Sequence, residues 1–204
     1  MHHDTFSVSR YSTQAGWLAL WAGLALGPVL LPAPTVAQTV GHNSCVGNDA
    51  CLNNTGAVGN NSCNGDNACF GNTGAVKNSA CDGDNACNDN MGAVGQSACV
   101  GEAACNENRG AVGNDACDGF HACQLQTGAV GNDACDGIEA CFGNMGATIG
   151  SGACVGFQAC NENTGAVGSG SCVGNSACFG NSGTIGPDQC IGDFVCQGNT
   201  ANIP

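Results

Sequence analysis

The sequence predicts an all-β fold: a single-stranded β-solenoid of nine 18-residue coils, each with three short faces. Its 18 cysteines are separated by alternating gaps of 6 and 12 residues, with one gap of 13 between Cys141 and Cys154. Such a fixed short period is typical of repeat architectures in which each unit contacts only its neighbours. The 34 glycines and many asparagines disfavour helices and favour short strands joined by turns.

The N-terminal 37 residues have the pattern of a secretory signal peptide. Arg10 supplies a basic region, residues 16–31 form an apolar run, and Thr35-Val36-Ala37 offers small residues for cleavage. The run is shorter than the roughly 20 residues of a membrane span; an uncleaved N-terminal anchor is the alternative. We therefore expect a signal peptide at 1–37, a short lead at 38–42 and a cysteine-rich repeat domain at 43–204. The predicted location is secreted or extracytoplasmic, in a periplasm or at a cell surface.

The charge balance limits the classes of partner. The chain has 16 acidic residues against three Lys and Arg, and its net charge is −13. Removal of residues 1–37 takes away one acid and one base, Asp4 and Arg10, so the net charge is unchanged. A surface of this sign repels nucleic acid and anionic lipid. We expect neither a nucleic-acid partner nor a membrane span.

Each 18-residue repeat divides into three hexads, for example Val46-Gly47-Asn48-Asp49-Ala50-Cys51. An aliphatic residue begins every third hexad: Val58, Val76, Val94, Val112, Val130, Ile149, Val167, Ile185 and Ile203. This pattern resembles the hexapeptide-repeat, left-handed β-helix family, in which three hexads make one triangular 18-residue coil. The resemblance implies a left-handed path. In the other two hexads Asn, Asp and Gln often replace the aliphatic residue, so cysteine and alanine are expected to fill a thin interior.

The predicted disulfides join cysteines six residues apart within one unit. Pairing between stacked coils is also compatible with disulfide geometry, but each column holds nine cysteines, an odd number that would strand one thiol. A loop of this size stabilises by roughly 2–2.5 kcal/mol on a chain-entropy estimate. The insect antifreeze solenoids are similar in their use of such bridges. The cysteines concerned are Cys45, Cys51, Cys63, Cys69, Cys81, Cys87, Cys99, Cys105, Cys117, Cys123, Cys135, Cys141, Cys154, Cys160, Cys172, Cys178, Cys190 and Cys196.

Three further columns, and the cysteines themselves, could carry binding chemistry. An amide column from Asn54 to Asn199 predicts a ladder of stacked side-chain hydrogen bonds. A threonine-rich column beside it, interrupted by Arg109, admits ice binding, and an acidic column beginning at Asn48 and Asp66 admits Ca²⁺. Reduced cysteines could sequester soft metals. Later in the acidic column, apolar residues replace the acids and form a possible interaction stripe: Phe120, Ile138 and Phe157.

The sequence thus predicts a secreted, non-enzymatic structural or surface-interaction protein that needs no cofactor. No residue outside the repeat resembles a catalytic group, and no catalytic or metal residue is predicted. A surface partner, self-association or an unknown small ligand is left open. The alternatives are a ligand-binding solenoid, for ice or calcium, and thiol-based metal sequestration.

Overall fold

The computed structural model describes residues 38–204, and the predicted signal peptide at 1–37 lies outside the described residues. The repeat domain is a stack of nine units, each numbered from its first cysteine as position 1. Unit 1 begins at Cys45, unit 5 at Cys117, unit 6 at Cys135, unit 7 at Cys154 and unit 9 at Cys190. Residues 38–204 contain no helix that is long and apolar enough to cross a membrane.

Backbone hydrogen bonds join each unit to the units before and after it. In residues 82–99, nine N–H groups donate to carbonyl oxygens of an adjacent unit. Alternate residues from Gly83 to Asp89 all donate to the preceding unit, at 2.6–2.9 Å. Ala86, Asn88 and Asn90 donate to the carbonyl three residues earlier, at 3.2–3.3 Å, and so close tight turns. Half of the backbone N–H groups in this 18-residue segment therefore connect layers of the stack, and three others close turns within the segment.

The predicted all-β class is wrong. In residues 38–204 the β structure is limited to isolated single-residue parallel bridges, and no strand or sheet forms. One series of bridges follows position 14 from Val40 to Ile203, and shorter series follow position 2. The single-stranded β-solenoid with three strand faces is therefore not the fold of this chain. The left-handed path of the chain was inferred from the same resemblance to β-helices, so that inference is no longer supported.

Left-handed backbone conformations explain the absence of strands. Positions 1, 5 and 9 have a φ of about +50° to +70° in every unit, and so does position 17, or its equivalent Gly152, in units 1 to 8. The first cysteine of each disulfide is among them, such as Cys63 at +58°. Strand residues need negative φ over several consecutive positions. The longest run of negative φ in a regular unit covers positions 10–16, where the position-14 bridges form. The turns inferred from glycine and asparagine are thus too frequent for strands.

The interior is built from small side chains. Cysteines of the inner units and the alanines that precede them, such as Ala68 and Ala80, are fully buried, and the aliphatic residues at position 14 complete the apolar core. The alanine column beginning at Ala57 and Ala75 is exposed instead. Ala147, which follows the extra residue of unit 6, is the buried exception. Alanine therefore fills the interior, as expected, at the positions that precede the cysteines and not at position 13.

The 13-residue gap places one extra residue in unit 6 without interrupting the stack. Gly146 adopts a φ of +80°, and its N–H donates to the Thr127 hydroxyl oxygen at 2.5 Å. Register is regained at once, since Ile149 forms bridges with both Val130 and Val167. The extra residue is therefore accommodated as a local bulge at Met145 and Gly146.

Candidate functional site

The cysteines form nine bridges, each within one unit, and the described residues contain no free cysteine. The Cα atoms of each pair lie 5.4–5.8 Å apart. The pairs are Cys45–Cys51, Cys63–Cys69, Cys81–Cys87, Cys99–Cys105, Cys117–Cys123, Cys135–Cys141, Cys154–Cys160, Cys172–Cys178 and Cys190–Cys196. This content of bridges indicates an oxidising environment outside the cytoplasm.

Sulfur atoms of successive bridges also approach one another. Those of Cys63, Cys69 and Cys81 lie within 4.8 Å, as do those of Cys117, Cys123 and Cys135. A thiolate, not a disulfide, is the ligand for soft metals. In the oxidised chain these clusters are therefore parts of the buried core and offer no metal site.

A ladder of amide side chains runs beside the disulfides, as the sequence predicts. Asn72 donates to Asn54 Oδ1, Asn90 to Asn72 and Asn108 to Asn90, each at 2.8 Å, and all four are buried. Each of the three donors also reaches the carbonyl two residues ahead, for example Gly92 O at 2.7 Å. Asn181 and Asn199 continue the series farther along the stack.

The ladder breaks in units 5 and 6. Gln126 replaces asparagine there, and its Oε1 atom and the Nδ2 atom of Asn144 are buried without a hydrogen-bond partner among the described residues. The break directly precedes the bulge at Gly146. Buried polar atoms normally find partners, so this region departs from the regular repeat in both hydrogen bonding and length.

Acidic and amide side chains elsewhere cap exposed backbone N–H groups. At position 4 the Asp66 carboxylate accepts from the N–H of Asn48 at 2.8 Å, and Asp84 accepts from that of Asp66 at 2.9 Å. The first of these bonds, with one from the Asn48 side chain, lowers the pKa of Asp66. Asp193 does the same for Asn175 at 2.8 Å. Asp66, Asp84 and Asp193 of the acidic column thus have a structural role in the stack.

The predicted interaction stripe lies in the same column as these caps. Phe120, Ile138 and Phe157 occupy position 4 of units 5, 6 and 7, and they are 40%, 48% and 47% exposed. A phenylalanine or isoleucine cannot accept a hydrogen bond. The N–H groups of Phe120 and Ile138 accordingly have no protein acceptor among the described residues. The stripe therefore exchanges a structural cap for exposed apolar surface.

An open groove of about 360 Å³ extends the apolar surface over units 5 to 7. It is lined by Leu125, Phe142, Gly143, Met145, Glu162 and Thr164. His121 connects the groove to the stripe: its ring stacks on Phe120 with centroids 3.8 Å apart and lies 6.3 Å from the ring of Phe142. We call the stripe, His121, Leu125, Phe142 and Met145 the apolar patch.

Two residues of the apolar patch hold conformations that disfavour their side chains. Leu125 has a φ of +61° at position 9, where the other units have glycine, asparagine, aspartate or glutamate in the same conformation, and its apolar side chain is exposed. His121 has a φ of +55°. A left-handed conformation costs a non-glycine residue about 1–2 kcal/mol. Every unit has this conformation at positions 5 and 9, so it does not by itself distinguish the patch. The exposed apolar side chains of adjacent units and the groove between them make the patch the strongest candidate site in the described residues.

Carboxylates border the apolar patch. Asp118 and Asp136 lie two residues before Phe120 and Ile138, and partial burial raises the pKa of both, that of Asp136 to about 6. The neighbouring charges of Asp115 and Asp133 act in the same direction on Asp136. Glu139 accepts hydrogen bonds from the side chains of Gln158 at 2.7 Å and Asn161 at 3.3 Å.

Sequence reasoning found the stripe but missed the groove. The available signals were three departures from the repeat close together: leucine at a position usually held by glycine or a polar residue, Gln126 in the asparagine column, and the 13-residue gap. Their convergence on one surface depends on which positions of adjacent units face outwards, and that required the structure.

Comparisons with known proteins place the repeat in a family. No curated protein and no solved structure matches the chain. One domain family matches in three overlapping segments, residues 32–78, 65–152 and 138–204, which is what a cysteine-rich repeat with an 18-residue period should give. These segments cover most of the sequence, and the chain therefore belongs to the domain of unknown function family DUF7640.

Proposed function

We propose that this protein is a non-enzymatic, extracytoplasmic scaffold whose disulfide-bonded stack presents the apolar patch to a partner. The observation that carries the proposal is the structural cost of the patch. The stripe replaces backbone caps of the kind that Asp66 provides with exposed apolar side chains in three successive units, and Leu125 adds a further exposed apolar side chain beside them. Local rules broken together at one surface are expected at a functional site.

The remainder of the stack supports a structural role. Its inner bridges are fully buried, and its backbone donors link unit to unit along the repeat domain. The amide ladder adds side-chain links on both sides of its break in units 5 and 6. A thin interior of cysteine, alanine and valine buries little apolar area, so covalent bridges supply stability that a larger core would otherwise provide. Such a stack can remain folded outside the cytoplasm, where a small domain without disulfides would have only marginal stability.

Site-specific photocrosslinking in the organism that makes the protein tests the proposal. A photoreactive phenylalanine analogue replaces Ile138 on the patch or Ala75 on an exposed surface elsewhere. We expect one discrete crosslinked product from position 138 and none from position 75, and we expect Phe142→Ala to remove it. Equal crosslinking at both positions would show that the patch is not the interaction surface.

A further inference from the structure

The surroundings of the apolar patch indicate the chemistry of its partner. Residues 117–171 contain five acids, Asp118, Asp133, Asp136, Glu139 and Glu162, and no lysine or arginine. The adjoining unit 4 has one basic residue, Arg109, whose backbone N–H donates to Gln126 O, and three acids. Glu162 is itself part of the groove wall. A ligand that fills the groove therefore places any charged group of its own beside carboxylates, where a positive charge is favoured and a negative one repelled.

The acidic residues are held in place at this surface. The two hydrogen bonds to Glu139 fix its carboxylate next to Ile138. Asp136 accepts from the backbone N–H of Asp118 at 3.3 Å, and Asp118 from that of Val100 at 3.2 Å. Ordered carboxylates lose less conformational entropy when they pair with a cation than freely rotating ones do. The carboxylates around the patch are therefore both negatively charged and held in positions from which they can pair with a cation.

A second copy of the same chain is a poor fit to the patch. Each copy has a net charge of −13, and two patches in contact would bring two sets of these five acids together. Like charges across an interface oppose association. The groove volume, about 360 Å³, is at the lower end of the range for ligand pockets and suits one or two apolar side chains.

We propose that the apolar patch binds a basic amphipathic peptide segment of a partner protein. A leucine-sized or aromatic side chain of the segment occupies the groove against Phe142 and Leu125, and its lysines or arginines pair with Glu162 and the other bordering acids. The proposal rests on the proposed function, because it names the partner class of the same surface.

Fluorescence anisotropy with three synthetic peptides tests the partner class. The first peptide is amphipathic and built of leucine and lysine, the second has glutamate at every lysine, and the third has serine at every leucine. We expect the purified oxidised protein to bind the first peptide roughly tenfold or more tightly than either of the others, since both an apolar anchor and a positive charge are required.

Variants locate the binding. Phe142→Ala and Leu125→Gly should each weaken binding of the first peptide roughly tenfold, whereas Phe70→Ala, at the same position in unit 2, should not change it. Glu162→Gln should weaken binding by a few-fold and reduce its salt dependence, as expected of one exposed ion pair. Circular dichroism of each variant checks that the stack is intact.

The outcomes separate this inference from the proposed function. Equal binding of the serine–lysine peptide would mean that net charge alone is sensed, and equal binding of the leucine–glutamate peptide would mean that the acids play no part; either result overturns the inference. A dimer seen by analytical ultracentrifugation and lost in Phe142→Ala would overturn it in favour of a second copy. In each case the crosslink from position 138 tests the proposed function independently.

Discussion

Gln126 follows Asn108 in the amide ladder, yet no hydrogen bond joins the two side chains. Gln126 donates instead to Gly128 O at 3.1 Å and Ala147 O at 3.4 Å, and its own Oε1 atom has no partner among the described residues. The longer glutamine side chain places its amide beyond the point at which an asparagine amide would continue the ladder. This break lies beneath the groove, since Leu125 lines the groove immediately before it.

Substitution Gln126→Asn should therefore stabilise the protein. An asparagine can donate to Asn108 Oδ1 and accept from Asn144 Nδ2, so two unsatisfied buried atoms would gain partners, a change worth about 1–3 kcal/mol in the free energy of unfolding. Denaturant unfolding of the oxidised protein measures the change. Asn90→Ala is the opposite variant: it removes bonds to Asn72 and Gly92 and should destabilise by a similar amount. A loss of stability in Gln126→Asn would contradict this account of the break.

A side chain at position 12 should destabilise the protein, because neighbouring units pack closely there. A Cβ atom at Gly92 would overlap the carbonyl group of Gly110 in the next unit. Gly92→Ala should lower the free energy of unfolding by at least about 2 kcal/mol, because neighbouring units would have to separate. Gly180→Ala is the control: a Cβ there meets open space, so only the left-handed strain of about 1–2 kcal/mol applies. A smaller loss in Gly92→Ala than in Gly180→Ala would show that close stacking of units is not essential.

Reduction of the disulfides should begin at the ends of the stack. Cysteines of the inner bridges, such as Cys99 and Cys105, are completely buried, whereas Cys45, Cys51, Cys190 and Cys196 are only partly buried. A reductant must reach a sulfur atom to open a bridge, so exposure sets the order under native conditions. Brief treatment with a phosphine reductant, followed by alkylation and peptide mass spectrometry, should therefore label the terminal pairs first.

A uniform pattern of labelling would contradict that order, because it would mean that the units open independently of their place in the stack. The same experiment measures what the bridges contribute. Each should stabilise by about 2–3 kcal/mol through restriction of the unfolded chain, so the circular dichroism signal should fall progressively as successive bridges open from the ends.

Sequence analysis predicted the period and the amide ladder but not the path of the backbone. The period follows from cysteine spacing alone, and the ladder follows because identical amides recur at Asn54, Asn72 and Asn90. The path depends on cysteines that adopt positive φ, such as Cys63, a conformation that cysteine does not favour and that no local pattern signals. The caps were missed for a different reason: the acidic column was interpreted as a surface that could bind Ca²⁺, whereas Asp66 and Asp84 bond to the preceding unit.

Stability should depend on pH through Asp136. Its carboxyl titrates near its ordinary value of 3.8 in the unfolded chain, while burial first, and then the charges of Asp118, Asp133 and Asp115, raise the pKa in the folded protein to about 6. Between these values the folded protein holds a proton that the unfolded chain has lost. The free energy of unfolding should therefore fall as the pH rises from about 4 to about 6, and then level off. Asp118 contributes in the same direction.

Asp136→Asn should flatten this fall, as measured by urea unfolding at a series of pH values. Asparagine suits the position, because Asn64 occupies position 2 in unit 2 and accepts the N–H of Val46 at 3.4 Å. Asp66→Asn is the matched control: the pKa of Asp66 is lowered, so its linkage lies below pH about 4 and outside the window. An unchanged slope in Asp136→Asn would show that this carboxyl does not titrate between pH about 4 and 6 in the folded protein. An equal flattening in Asp66→Asn would show that the fall does not arise at Asp136. If the slope does change, binding of a basic peptide at the patch should release protons near pH 6, because a nearby positive charge lowers the pKa of Asp136.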